Sequence, residues 1–310
     1  MFLKFNSHYL LKRITLCLML ISATPVIAQI DTHEVGDMGY LRSPMESSNG
    51  IIATNNRYSE IYTIKNNTLT PILTANNCGL YTNLSKDGRL LGFKSFNDNA
   101  EQAPAILDVT TGIVTLLESY THQCGQVSFA NDGTIAYTMG NTLIIRKGNT
   151  RKAFDLGFYT NIANISPDAS QVAYSNIDGR MFIIDTTTGK KENVAITDGY
   201  LAIWSPDGSK IAVQTANGTL AVQERTTKKI HELGFGESVS WANNSEELIF
   251  TRIERINEME VSGSSIRKIN FDGSAEIAIV SASDNMPTDA ILIFQKVGVL
   301  LGRVGLDEEL

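Results

Sequence analysis

The residues beyond position 30 best suited to metal or nucleophile chemistry are His33, His122, His231, Cys78 and Cys124. Zinc ligands usually come in close pairs such as Cys-x-x-Cys or His-Glu-x-x-His, and neither spacing occurs. His122 and Cys124 stand two residues apart, as a base and its nucleophile might in a hydrolase. No third group nearby orients such a base, so the plainer reading is two neighbours on one loop. The sequence has no Gly-x-Ser-x-Gly elbow and no phosphate-cradling glycine loop. Asp87, Asp132, Asp168 and Asp207 each precede a Gly or Ala and invite a calcium reading. Calcium gathers several oxygens, whereas each of these segments offers one Asp, so the carboxylates are expected to bond their own turns. The expectation is no metal, no cofactor and no catalytic residue.

The elements around those aspartates repeat. Trp204-Ser205-Pro206-Asp207-Gly208 matches Ile165-Ser166-Pro167-Asp168-Ala169 and Leu84-Ser85-Lys86-Asp87-Gly88. Weaker copies surround Asp132 and Asn244, and a degenerate one surrounds Asn49. These six positions are 38, 45, 36, 39 and 37 residues apart. A period near 40 with short strands is the mark of propeller blades, four strands to a blade. In the fourth repeat the pattern predicts strands over 160–165, 171–174, 181–185 and 191–195. Pro167 and Pro206 suit the first central position of a turn. Trp204 and Trp241, just before their turns, are expected to pack between adjacent blades. No helical period is visible after residue 30.

On the segments at 165–174 and 204–213, with Phe182-Ile183-Ile184-Asp185 after the first, the sequence resembles the TolB-like β-propeller repeats. The resemblance covers roughly residues 40–280 and implies an all-β propeller. The group includes periplasmic scaffold proteins and the propeller halves of peptidases, so it specifies a fold better than a function. The family's namesake carries an α/β domain ahead of its propeller. Here the first repeat starts soon after the leader, so the likeness is to the repeat. Blades are expected at about 40–75, 76–119, 120–156, 157–196, 197–234 and 235–280. Residues 281–310 are expected to close the ring or to begin a seventh blade, with six favoured.

Residues 1–28 read as a secretory signal: Lys4, Lys12 and Arg13, a short apolar run, then small residues ending at Ala28. The run is too short to span a bilayer comfortably. Cleavage there leaves one domain over 29–310, in the periplasm or outside the cell. It removes three of 26 basic residues and no acidic one, so 23 basic face 33 acidic, a net of −10. That balance argues against nucleic acid or anionic lipid as partner. Export permits a disulfide between Cys78 and Cys124; two separate thiols are the alternative.

In a propeller the loops from fourth to first strand and from second to third share one face around the channel. Here they carry Arg57, Tyr58, Asn76, Asn77, Tyr120, His122, Gln123, Tyr159 and Tyr200. Tyrosine and arginine are favoured at interface hot spots, so these residues are the candidate site for a protein partner of the cell envelope. The charged stretch over 253–263 is a solvated loop or a contact hairpin. The leading expectation is a non-catalytic binding scaffold. The alternatives are a channel-face sugar-binding protein or lyase, or the propeller part of a larger exported peptidase.

Overall fold

A computed structural model describes residues 41–304 apart from 56, 66–67, 243, 256–260, 284–288 and 296–297. The signal-like segment and His33 lie outside the described residues. The described residues form strands and turns with no helix. Six sheets have four antiparallel strands each, always in chain order.

The first sheet is β1 (Leu41–Ser47), β2 (Gly50–Asn55), β3 (Glu60–Lys65) and β4 (Thr68–Thr74). The second is β5 (Asn83–Leu84), β6 (Leu90–Phe96), β7 (Gln102–Asp108) and β8 (Val114–Leu116). The third is β9 (Ser128–Phe129), β10 (Ile135–Met139), β11 (Thr142–Lys147) and β12 (Thr150–Asp155). The fourth is β13 (Ala163–Ile165), β14 (Gln171–Ser175), β15 (Met181–Asp185) and β16 (Lys191–Asn193). The fifth is β17 (Gly199–Trp204), β18 (Lys210–Thr215), β19 (Thr219–Glu224) and β20 (Ile230–Phe235). The sixth is β21 (Glu237–Trp241), β22 (Glu247–Arg255), β23 (Val261–Asn270) and β24 (Ile277–Ser283), which runs past the expected limit at 280. A last hairpin, β25 (Asp289–Gln295) with β26 (Gly298–Val304), pairs only with itself.

These sheets are the blades of a β-propeller. The first strands touch in sequence: β5 meets β9, β9 meets β13, β13 meets β17 and β17 meets β21. The hairpin fills the remaining gap, since β25 lies against β21 on one side and β1 on the other. A lone blade leaves both of its apolar faces in water, so the core sits between blades. Ile52 and Ile61 of the first blade pack with Leu91 and Phe93 of the second. Leu143, Tyr174 and Ile184 join the third to the fourth, and Leu220, Leu248 and Phe250 the fifth to the sixth. Each fully buried Leu, Ile or Phe contributes about 1.5–3 kcal/mol of transfer free energy.

The tryptophans act across blades. Trp204 donates its indole N–H to the Asn164 carbonyl at 2.8 Å, and Trp241 donates to Ile203 at 2.9 Å. Strand β13 is shorter than the expected 160–165. Residues 160–162 are held by other partners instead: Thr138 Oγ1 donates to the Thr160 carbonyl and the Gln126 N–H to the Asn161 carbonyl.

The turns after the first strands are closed by their own side chains and tied to turns of neighbouring blades, as where the Asp207 N–H donates to Ser245 Oγ at 3.0 Å. Asp207 accepts from Ser205 Oγ at 2.6 Å and the Ser209 N–H at 2.9 Å. Asp168 repeats this with Ser166 and Ser170, and Asp87 with Ser85 and Arg89. The carboxylates close their own turns, which accounts for their recurrence without a cation.

Candidate functional site

The opposite face is built from the second-to-third-strand turns and the links between blades. Four of these turns share a construction. A polar residue at the end of the second strand bridges to the residue four positions on. Asn55 Oδ1 accepts from the Ser59 N–H at 2.9 Å, Asn97 Oδ1 from Glu101 at 2.9 Å, and Asn176 Oδ1 from Arg180 at 2.8 Å. Thr215 Oγ1 does the same for Thr219 at 3.0 Å. The third of the three residues between is always left-handed: Tyr58 (φ 55°), Ala100 (59°), Gly179 (72°) and Gly218 (81°). Glycine takes that conformation freely, whereas a side chain there costs about 1 kcal/mol or more. The first two blades therefore place Tyr and Ala where the fourth and fifth use Gly.

Arg57, Asn76 and Asn77 come together around a cavity of about 330 Å³ between the first two blades. Phe96, Asp98 and Ala100 form its far wall. Tyr58, half-buried beside it, accepts the Gly79 N–H on its carbonyl at 2.9 Å.

Tyr120, His122 and Tyr159 gather at a second place, around Lys94. The Tyr120 hydroxyl lies 2.8 Å from Ser95 Oγ. The exposed His122 offers only its carbonyl, 3.4 Å from Gln102 Nε2. Tyr159 bonds the Cys124 carbonyl at 2.9 Å and Asn161 Oδ1 at 3.2 Å. Lys94, only 3% exposed, donates to Gln102 Oε1 at 3.2 Å and to Asn161 Oδ1, and its ammonium lies 4.7 Å from the centre of the Tyr81 ring. Burial lowers its pKa to about 8. Gln123 is exposed and contributes its carbonyl to the Gly140 N–H. Tyr200 stands apart on the fifth blade, where burial, then the charge of Glu237, raises its pKa.

Lys94, Gln102 and Asn161 are members of this cluster that sequence reasoning passed over. Counting four residues on from the carbonyls of Leu90, Thr134, Gln171 and Lys210, which close the first turns, gives Lys94, Thr138, Ser175 and Gln214. A lysine among short neutral polar residues at that register was the available signal.

Cys78 and Cys124 are buried free thiols. Burial raises the Cys124 pKa to about 11, against a smaller lowering by Lys94, which is the reverse of nucleophile activation. His231 bonds Glu224 at 2.8 Å and meets the edge of Phe271, far along the chain from the other histidines. Among the described residues, no three His, Cys, Asp or Glu side chains group to hold a metal ion.

No family model matches the chain, and no curated sequence does either. Solved structures do. TolB from Acinetobacter baumannii superposes with a TM-score of 0.54 at 16% identity, over 78% of this chain and 63% of its own. The tricorn protease matches with a TM-score of 0.45 at 14% identity, over 84% and 29%. The β-propeller domain of Cps50 (Swd1) from Myceliophteria thermophila gives 0.47 at 13%, over 66% and 70%. The chain thus spans less than two thirds of the TolB structure it matches. At such identities likeness speaks for architecture alone, and by architecture the chain is a β-propeller similar to TolB.

Proposed function

We propose that the chain is an exported, non-catalytic scaffold that binds a protein of the cell envelope through the face carrying the inter-blade links. One observation carries this reading. Four of the eight large apolar side chains exposed among the described residues stand on that face: Ile177 at 98%, Phe235 at 68%, Tyr200 at 42% and Tyr81 at 41%. Ile177 sits on a turn and Tyr81 on a link, while Tyr200 and Phe235 lie at the ends of β17 and β20 that border this face. Aromatic anchors on a rigid ring lose little conformational entropy on binding. The signal-like residues 1–28 and the acidic balance beyond them support export and a protein partner rather than nucleic acid.

The test places a photo-crosslinking amino acid at Tyr200 or at Thr187, on the opposite face, in the full-length protein expressed in a Gram-negative host. A discrete adduct from position 200 alone is expected. Tyr200→Ala with Phe235→Ala should then weaken capture of that partner by more than tenfold. Equal adducts from both positions, or a double variant that captures as well as the parent, would remove the reading. N-terminal sequencing of the exported form should begin at Gln29.

A further inference from the structure

The cavity between the first two blades is lined by charges of both signs that do not pair. Arg57 comes from one turn and Asp98 from the next, with the carboxamides of Asn76 and Asn77 on the link between them. Among the described residues, none of these four side chains has a hydrogen-bond or ion-pair partner. Several arginines elsewhere are neutralised: Arg89 sits on Asp108, Arg151 on Glu118, Arg225 on Glu192 and Arg252 on Glu276.

The turns and the link that carry these groups are fixed by hydrogen bonds. Arg57 is the middle residue of the turn fixed by Asn55, and Asp98 the first residue of the turn fixed by Asn97. Asn97 spends both amide atoms on its own turn, its Nδ2 donating to Glu101 Oε2 at 2.8 Å and its Oδ1 accepting the Asn99 and Glu101 N–H groups. The link is tied to the first turn by the Ala75 N–H on Ser59 O at 3.0 Å and the Gly79 N–H on Tyr58 O at 2.9 Å. Three left-handed non-glycine residues, Tyr58, Asn77 and Ala100, border the cavity. Each is a conformation a fold keeps only where its surroundings enforce it, and such residues concentrate at ligand sites. Opposite charges carried on two separate turns around one cavity favour a ligand with the complementary pair.

We propose that this cavity binds a small zwitterion, a free amino acid or dipeptide, with its carboxylate on Arg57, its ammonium on Asp98, and its polar backbone against Asn76 and Asn77. Phe96 supplies an apolar wall for the side chain. The volume, about 330 Å³, lies at the small end of ligand sites, near 300 Å³. The site involves one corner of the ring and does not depend on the partner-binding reading.

Calorimetric titration of the full chain with alanyl-alanine tests it, against N-acetylalanine, alaninamide and N-acetylglucosamine. Alanyl-alanine is expected to bind, with each singly blocked form at least tenfold weaker, the loss expected when one charged hydrogen bond goes. Arg57→Ala should erase the preference for a free carboxylate, and Asp98→Asn the preference for a free ammonium. Both positions are exposed, so thermal melts should match the parent and exclude misfolding as the cause. No heat from alanyl-alanine with a folded parent overturns the proposal. So does binding of N-acetylglucosamine alone, or an affinity indifferent to blocking either end.

Discussion

The two faces of the ring handle charge in opposite ways. On the turn face, carboxylates are held ionised. Lys147 bonds Asp132 and keeps its carboxyl at about 2. Asp207 is pushed up by burial, but hydrogen bonds from Ser205 and Ser209 outweigh this and hold it at about 2. On the link face, ionisable groups are pushed toward their neutral forms: burial lowers Lys94 to about 8 and raises Tyr159 to about 12. One face is a set of self-satisfied turns that stabilise the fold. The other carries desolvated ionisable groups and exposed aromatics, which cost stability. Proteins keep such costs mainly where they bind something.

The largest test of this contrast is Lys94. Its folded pKa lies below the unfolded value of 10.5, so the native state binds fewer protons between pH 8 and 10.5. Stability should therefore rise with pH across that window, and the cost of burying the charge is fully present below pH 8. Lys94→Met removes the cost while leaving two amide oxygens to find water. A gain of about 1–2 kcal/mol at pH 7 is expected, since replacing a buried charge by an apolar chain is often stabilising. Urea unfolding at pH 7.5, 8.5 and 9.5 should show that gain shrinking as pH rises. A gap constant with pH would mean that the Lys94 ammonium is not destabilised by its surroundings.

The turn face should respond with the opposite sign. Carboxyls depressed in the folded state stabilise it above the unfolded pKa, near 3.8, and lose that contribution as pH falls toward 2. After allowance for solvent screening at these largely exposed sites, Asp132→Asn and Asp207→Asn should each cost about 1 kcal/mol at pH 7. The cost should shrink below pH 4 and approach zero only as pH falls through 2. Thermal melts across pH 2–7 that show the same deficit throughout would assign the loss to turn geometry and not to charge.

The legibility of the two faces in the sequence follows the same division. The turn face was readable because its hydrogen bonds are local: Ser205, Asp207 and Ser209 lie within five residues and recur with the blade period. Trp204 and Trp241 were readable as inter-blade residues for the same reason, each standing at a fixed offset from its turn. The link face was not. Lys94 finds Asn161 67 residues away, and the cavity joins two turns whose sequences, Asn55 to Ser59 and Asn97 to Glu101, share little beyond the bridging asparagine. In the sequence Arg57, Asn76 and Asn77 read as loop residues. Their grouping with Asp98 comes from the ring, which brings successive blades side by side. The tail was ambiguous because two strands satisfy either a closing or a blade-starting role until their neighbours, β21 and β1, are known.

The smallest expected effect separates local strain from function most cleanly. Ala100 and Gly218 occupy the same left-handed place in equivalent turns, at φ 59° and 81°. A Cβ added at Gly218 meets nothing nearer than Phe235 at 4.0 Å, so Gly218→Ala reports backbone conformation alone. It should cost about 1 kcal/mol. Ala100→Gly makes the reverse change and should stabilise by less, about 0.5 kcal/mol, because glycine also frees the unfolded chain. Mirror-image shifts in urea midpoints, with Ala100→Gly also weakening alanyl-alanine, would show that the second blade accepts strain to shape its cavity wall. If Ala100→Gly instead destabilises, its methyl group contributes packing that outweighs the strain, and the turns of the two halves of the ring differ in kind.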